Sequence, residues 1–182
     1  METILDSTDF ALLAVLQNDV RISNKELAAE VGLSPSSCLA RVRRLLRDGV
    51  ITGFHADIRG DALGIGLQAL IAVQLRQHSR DAVASFRAHA LRLPGVLSLM
   101  HVSGEHDFLV HVAVRDAAHL RDLALDGFTA RPEVARMQTS LIFEQARVRA
   151  LPIWREPGPQ RRGRPAGAAK AAAKQRSRKP RS

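Results

Sequence analysis

Ser23-Asn24-Lys25-Glu26-Leu27-Ala28-Ala29-Glu30-Val31-Gly32-Leu33-Ser34-Pro35-Ser36-Ser37-Cys38-Leu39-Ala40-Arg41 decides the fold of the first third of the chain. Ser23 and Glu26 stand three apart, as a capping box requires, with the serine hydroxyl accepting from the backbone and the glutamate reaching back. A short helix then presents Leu27, Ala28 and Val31 on one side. Gly32 permits a tight turn, and Leu33 points inward. Ser34 restarts the helix as its N-cap, and Pro35 takes the first helical position, where a missing N–H costs nothing. This second helix carries Cys38, Val42, Leu45 and Leu46 inward and stops at Asp48-Gly49. Two short helices joined by a glycine turn, the second rich in small polar and basic residues, form a helix-turn-helix.

Working outward, Asp6 precedes a helix ending near Asn18, with an apolar set at Phe10, Leu12, Leu13 and Leu16. After the motif, Val50 to Ile58 reads as a short strand. In a helix-turn-helix the second helix enters the major groove by its N-terminus, so Ser34, Ser36, Ser37 and Arg41 are expected at the DNA. Ser36 and Ser37 suit base edges or phosphates, and Arg41 suits guanine or the backbone. Arg43, Arg44 and Arg47 are expected on phosphates. Most charged helix faces are simply solvated; here the capped first helix, the Gly32 turn and the Ser34-Pro35 restart favour DNA.

From about Leu63 the character changes. Leu67, Ala69, Ile71, Val73 and Leu75 alternate as a strand. Ser79 caps a helix bearing Val83, Phe86, Ala90 and Leu93, closed by Pro94-Gly95. Val96 to Val102 and Phe108 to Val114 are strand runs joined by a turn over residues 103–107, and Asp116 opens another helix. A last strand runs from Val134 to about Phe143. The order βαββαβ is the ferredoxin-like arrangement, giving an α+β chain. Such a sheet has helices on one face, and a second copy is the natural cover for the other.

Charge separates a third part. The chain has 27 Lys and Arg against 18 Asp and Glu, yet Met1 to Trp154 holds 17 of each. From Arg155 onward there are ten basic residues and one acid, Glu156. The folded part is neutral overall, and the formal +9 lies in a tail with almost no large apolar residue, expected to be disordered. Arg162-Gly163-Arg164-Pro165 is similar to the core of an AT-hook, in which Arg-Gly-Arg lies along a narrow A·T minor groove. The expected divisions are 1–60, 61–154 and 155–182.

Two further groups bear on chemistry. His101, His106, Asp107 and His111 crowd around one hairpin, but nothing fixes the two strand histidines on one face, so no metal site is expected. The one cysteine, Cys38, reads as a buried structural thiol in a reducing cytosol. Trp154 reads as a packing anchor where the fold ends. With no nucleophile–base pair and no phosphate loop, neither an enzyme nor a cofactor is expected. The apolar stretches fall far short of a bilayer span and the N-terminus lacks a signal-peptide pattern, which gives a cytoplasmic expectation.

Leu5-Asp6-x-x-Asp9, Leu16-Gln17-x-Asp19-x-Arg21-Ile22-Ser23, Glu26-Leu27-Ala28, Val31-Gly32-Leu33-Ser34-Pro35, Cys38, Arg41-Val42-x-Arg44-Leu45 and Gly49-Val50-Ile51-x-Gly53-Phe54 together resemble the Lrp/AsnC family. The likeness continues through Val102-Ser103-Gly104-x-x-Asp107-Phe108-Leu109 and Thr139-Ser140, covering about Leu5 to Val148. It implies a winged helix-turn-helix joined to a ferredoxin-like effector domain. It also implies double-stranded DNA as a partner, dimers building tetramers or octamers, and an amino acid as effector. By the same likeness, Gly104, Glu105, His106 and Asp107 border the effector pocket, with Thr139 and Ser140 contributing. A mainly architectural, nucleoid-associated role is the alternative.

Overall fold

The computed structural model describes residues 4–148 and 150–155. Contacts divide the chain into two units, Met1–His55 with the segment from Val148, and Ala56–Arg147. Among the described residues after Arg147, Val148 and 150–155 group with the first unit. Trp154 has most of its surface exposed, so it is not the packing anchor expected from sequence. The AT-hook-like Arg162 to Pro165 lies outside the described residues.

In the first unit, α1 (Ser7–Asn18), α2 (Asn24–Glu30) and α3 (Pro35–Arg47) enclose a small core. Each start is capped from within the sequence. Asp6 and Asp9 form a reciprocal capping box on α1, with the Asp9 N–H on Asp6 Oδ1 at 2.9 Å and the Asp6 N–H on Asp9 Oδ2 at 3.0 Å. Ser23 and Glu26 do the same for α2, and Ser34 caps α3 with Pro35 in its first turn. Leu12, Leu27, Ala28 and Cys38 form the buried centre, with Val15, Leu16, Ile22, Leu33 and Val42 around it. Leu45 is buried as well, whereas Leu46, expected inward, is exposed. Gly32, at φ +66°, makes the turn between α2 and α3. The Asn24 amide donates to the Pro35 carbonyl at 2.9 Å and braces that turn.

The strand expected over Val50 to Ile58 is not present. Alternating apolar residues need a neighbouring strand to complete a ladder, and this segment has none among the described residues. Phe54 and Ile58 stay exposed.

The second unit is a four-stranded antiparallel sheet in the order β2-β3-β1-β4. Its strands are β1 (Leu67–Leu75), β2 (Val96–His101), β3 (Phe108–Val114) and β4 (Val134–Leu141). Helices α4 (Arg80–Ala90) and α5 (Ala117–Asp122) supply the crossovers, and α5 runs on into a π-helical turn, Leu123–Thr129. This is the ferredoxin-like topology expected from the βαββαβ order. Alternation sends Ala69, Ile71, Val73 and Leu75 of β1, and Phe108, Val110, Val112 and Val114 of β3, into one core with Phe86, Leu120 and Phe128. The other face carries Leu70, Ala72, Leu109 and Ala113 between polar side chains. β4 stops at Leu141, short of Phe143, because Leu141 pairs with Ala69 close to the start of β1. Phe143 beyond it is 97% exposed. Among the described residues no helix is long and apolar enough to cross a membrane.

Candidate nucleic-acid interface and effector hairpin

The roll of α3 decides what the first unit can present. Cys38, Arg41, Val42 and Leu45 fall on one side at helical spacing, and that side faces the core. Pro35, Ser36, Ser37, Leu39, Ala40, Arg43 and Arg47 are exposed. Ser36, Ala40, Arg43 and Arg47 follow one another by four, three and four residues, and so line a single outward stripe.

Two of the four arginines are therefore inward. Arg41 Nη1 donates to both Asp6 oxygens at 2.9 and 2.8 Å and to Asp9 Oδ1 at 2.8 Å. Arg44 Nη2 lies 2.5 Å from Asp9 Oδ2, an ion contact outside hydrogen-bond geometry. Both guanidinium side chains are about four-fifths covered and the two carboxylates almost completely so. Burial pushes the Asp6 carboxyl up, but the Arg41 hydrogen bonds, the Asp9 backbone bond and the nearby positive charges outweigh it and hold it below the usual carboxylate range. Sequence reasoning placed Arg41 at guanine or the DNA backbone; the structure ties it to the start of α1. Arg43 and Arg47 remain outward, with Arg47 loosely beside Asp48 at 3.6 Å. At the tip of α3, Ser34 Oγ accepts from the Ser37 N–H at 3.3 Å and bonds the hydroxyls of Ser36 and Ser37 at 3.2 and 2.9 Å. Ser34 is thus occupied as a cap, while Ser36 and Ser37 keep outward capacity.

In the second unit, residues 103–107 join β2 to β3, with Gly104 at φ +119°, a conformation that favours glycine. Gly104 and Glu105 are exposed at the tip. Asp107 is buried and structurally engaged. Its Oδ2 accepts the Leu75 N–H at 2.7 Å, its N–H donates to the Val73 carbonyl at 2.9 Å, and His78 Nδ1 lies 2.7 Å from its Oδ1. The hairpin is thereby pinned to the end of β1. His106 is half-buried, and its buried Nδ1 has no hydrogen-bond partner among the described residues. Gly104 to Asp107 thus sit together, but Thr139 and Ser140 lie on the edge strand β4, across β1, opposite Ile71 and Leu70. Adjacent strand residues point to opposite faces, so Thr139 shares the helix side and Ser140 the open side.

The histidines also divide between faces. His101 stacks on Phe108, with ring centroids 4.8 Å apart, on the helix side. His111 lies on the other face, buried, with its Nε2 2.9 Å from Gln68 Oε1. Burial, and then the positive charge of Arg147, hold its imidazole below the ordinary 6.5. The folded form therefore resists protonation that the unfolded form accepts. The stability tied to His111 is complete above about pH 6.5 and is lost as pH falls below it. The drop in urea midpoint between about pH 8 and about pH 5.5 should be smaller in His111→Gln than in the wild type. Equal drops would remove His111 as its source.

Two family models match the chain: winged helix-turn-helix DNA-binding over residues 5–52, and Lrp/AsnC ligand binding domain over residues 68–150. The HTH-type transcriptional regulator AldR of Mycolicibacterium smegmatis is 46% identical over 143 residues, covering 79% of this chain and 84% of that protein. The leucine-responsive regulatory protein of Rhizobium meliloti is 38% identical over 143 residues, covering 79% and 92%. A transcriptional regulator of Neisseria meningitidis, crystallised as its L-Met complex, superposes with a TM-score of 0.74 at 33% identity, covering 81% of this chain and 96% of that one.

Proposed function

The chain belongs to the Lrp/AsnC family of transcriptional regulators, and on that premise we propose that it is a sequence-specific regulator whose DNA recognition lies on the outward stripe of α3. The observation that carries this reading is the sorting of side chains on α3. Ser36, Ser37, Ala40, Arg43 and Arg47 are free of the core, while Arg41 and Arg44 are held by Asp6 and Asp9. Arg43 takes the base-reading or phosphate-clamping role at the centre of the stripe, and Ser36 and Ser37 approach base edges at the helix tip.

The effector is a small molecule, and the L-Met complex of the Neisseria relative supports an amino acid or related metabolite. The β2–β3 hairpin is the proposed contact. Exposed backbone at Gly104 and Glu105 suits a carboxylate, and the unpartnered His106 Nδ1 suits a polar group of the ligand. Asp107 acts by holding the hairpin in place. Ser140, on the open sheet face, is the β4 position better directed toward an effector held between copies, and Thr139 is the less suitable of the two. The chain works as a dimer or larger even-numbered assembly, the open sheet face with Leu70, Ala72 and Leu109 providing the contact between copies. Two α3 stripes then meet one palindromic site.

Selection of bound duplex from a random pool, with and without a panel of free amino acids, tests the reading. A recovered palindrome whose binding responds to one of them is expected. An unenriched pool would leave the broad, architectural mode of binding in its place. On the recovered duplex, Arg43→Ala should weaken binding by about 1–3 kcal/mol, or about five- to 150-fold, with the fold intact. Unchanged affinity in a titration of that variant would move recognition off α3's outward stripe.

A further inference from the structure

The open face of the sheet is almost free of charge. Among the described residues, the open positions of β1, β2 and β3 carry no Asp, Glu, Lys or Arg, and His111 is their one titratable group. It stands in the middle strand pair, opposite Leu70 of β1 and Ser98 of β2, with Leu109 and Ala113 along β3. The residue is only 5% exposed in the single chain, and its Nε2 lies 2.9 Å from Gln68 Oε1. Formal charges stand around it rather than on it. The positive charge of Arg147, from the segment after β4, acts on the ring. Arg136 is at the edge, opposite Gln74, while Glu144 and the Arg59-bound Asp61 line a cavity of about 270 Å³ with Gln68.

Such a face meets a copy of itself without like-charge contact as long as His111 is neutral. With Nε2 engaged by Gln68, Nδ1 is the nitrogen left to take a proton. A proton there puts a charge at the centre of the face that the second copy would cover. Covering the face strips more water from the same ring while Arg147 keeps its charge nearby, and both effects disfavour the imidazolium. A buried charge with no opposite partner is among the costliest groups to place in an interface.

Resting on the reading of the open sheet face as the contact between copies, we infer that His111 is a proton-sensitive gate on self-association. Copies join through the neutral imidazole and part when it takes a proton. The sign follows from linkage: two joined copies bind fewer protons than two separate ones, so association is full at high pH and weakens as pH falls. Each copy brings one ring, so the dissociation constant of a dimer can rise by up to about 100-fold per pH unit once the rings titrate. Binding to a palindromic site by two linked copies weakens in the same range, since it draws on the same assembly.

The test is sedimentation equilibrium of the full chain at fixed salt, between about pH 8 and about pH 5, with circular dichroism at each pH to show that the fold is kept. The wild-type dissociation constant should rise about tenfold or more toward the acid end, and that of His111→Gln, which keeps a polar group for Gln68, by less than about twofold. Arg147→Gln, at an exposed position, is the second variant. With that charge gone the imidazole protonates more readily, so dissociation should begin at higher pH than in the wild type. A wild type that associates equally at every pH overturns the gate, as does a His111→Gln chain that dissociates like the wild type or an Arg147→Gln chain with an unmoved midpoint. In those cases the contact between copies stands. A wild type that is monomeric at about pH 8 removes the contact and the gate together, so the two failures are told apart.

Discussion

Asp9→Ala is expected to unfold the first unit while leaving the effector unit folded, and with it to abolish specific DNA binding. Asp9 is completely buried and holds three groups at once: the Asp6 N–H, Arg41 and Arg44. Removing it takes away half of the α1 capping box and leaves two largely covered guanidinium groups with Asp6 alone. Breaking a buried ion pair by deleting one partner costs about 3–5 kcal/mol, because the remaining charge is desolvated without compensation. Some relief comes from the fifth of each arginine that still meets water, so about 3 kcal/mol is expected. A unit whose core centres on Leu12, Leu27, Ala28, Cys38 and Leu45 has little reserve against such a loss. Amide hydrogen exchange is the suitable measurement, since it reads the two units separately. Protection should collapse over α1 to α3 and persist in β1 and β3. If α3 keeps its protection in Asp9→Ala, the cluster does not organise the helix.

The second large effect belongs to Phe86→Ala. Phe86 is fully buried between Phe108 of β3, with ring centroids 4.8 Å apart, and Phe128 of the π-helical turn at 6.1 Å. No other side chain of α4 links the sheet to that turn through aromatic contact. A Phe→Ala change in such a core costs about 3–5 kcal/mol, combining the burial forfeited with the cavity left behind. Gly127 shows how closely this region is packed, since a Cβ there would lie 2.9 Å from Leu93 Cδ1. Exchange protection should fall in β1 and β3 while α1 to α3 keep theirs. On the proposed two-copy reading, DNA affinity should drop as well, because single half-site binding would replace binding by two linked copies. Undiminished affinity with an unfolded effector unit would show that the assembly is not needed for binding.

Local chemistry was legible in the sequence; long-range chemistry was not. Ser23, Gly32, Ser34 and Pro35 act within a turn of where they stand, so their spacing sufficed to place α2 and α3. The βαββαβ order likewise followed from alternation in Leu67 to Leu75 and Phe108 to Val114, where one buried face fixes the register. Arg41 is the instructive departure. It stands three residues after Cys38 and four before Leu45, so helical periodicity already pointed it inward, but its partners lie more than thirty residues upstream. An unpaired arginine on an inward face signals such a partner, and Asp6-x-x-Asp9 was there to supply it. Asp107 departs for the same reason, its acceptor role being set by Leu75 on a different strand. The family likeness takes Thr139 and Ser140 together, yet neighbours in a strand point to opposite faces.

The Asp6–Asp9–Arg41–Arg44 cluster has a consequence for retargeting. It holds α3 through Arg41 and Arg44, beside the inward Cys38, Val42 and Leu45, and none of these five is on the outward stripe. Positions 36, 37, 40, 43 and 47 form a separate alphabet that can be rewritten without disturbing that hold. Whole-helix transplants from other regulators would therefore fail for mechanical reasons before their specificity could be judged. A library restricted to the five outward positions would explore new operators on an unaltered scaffold.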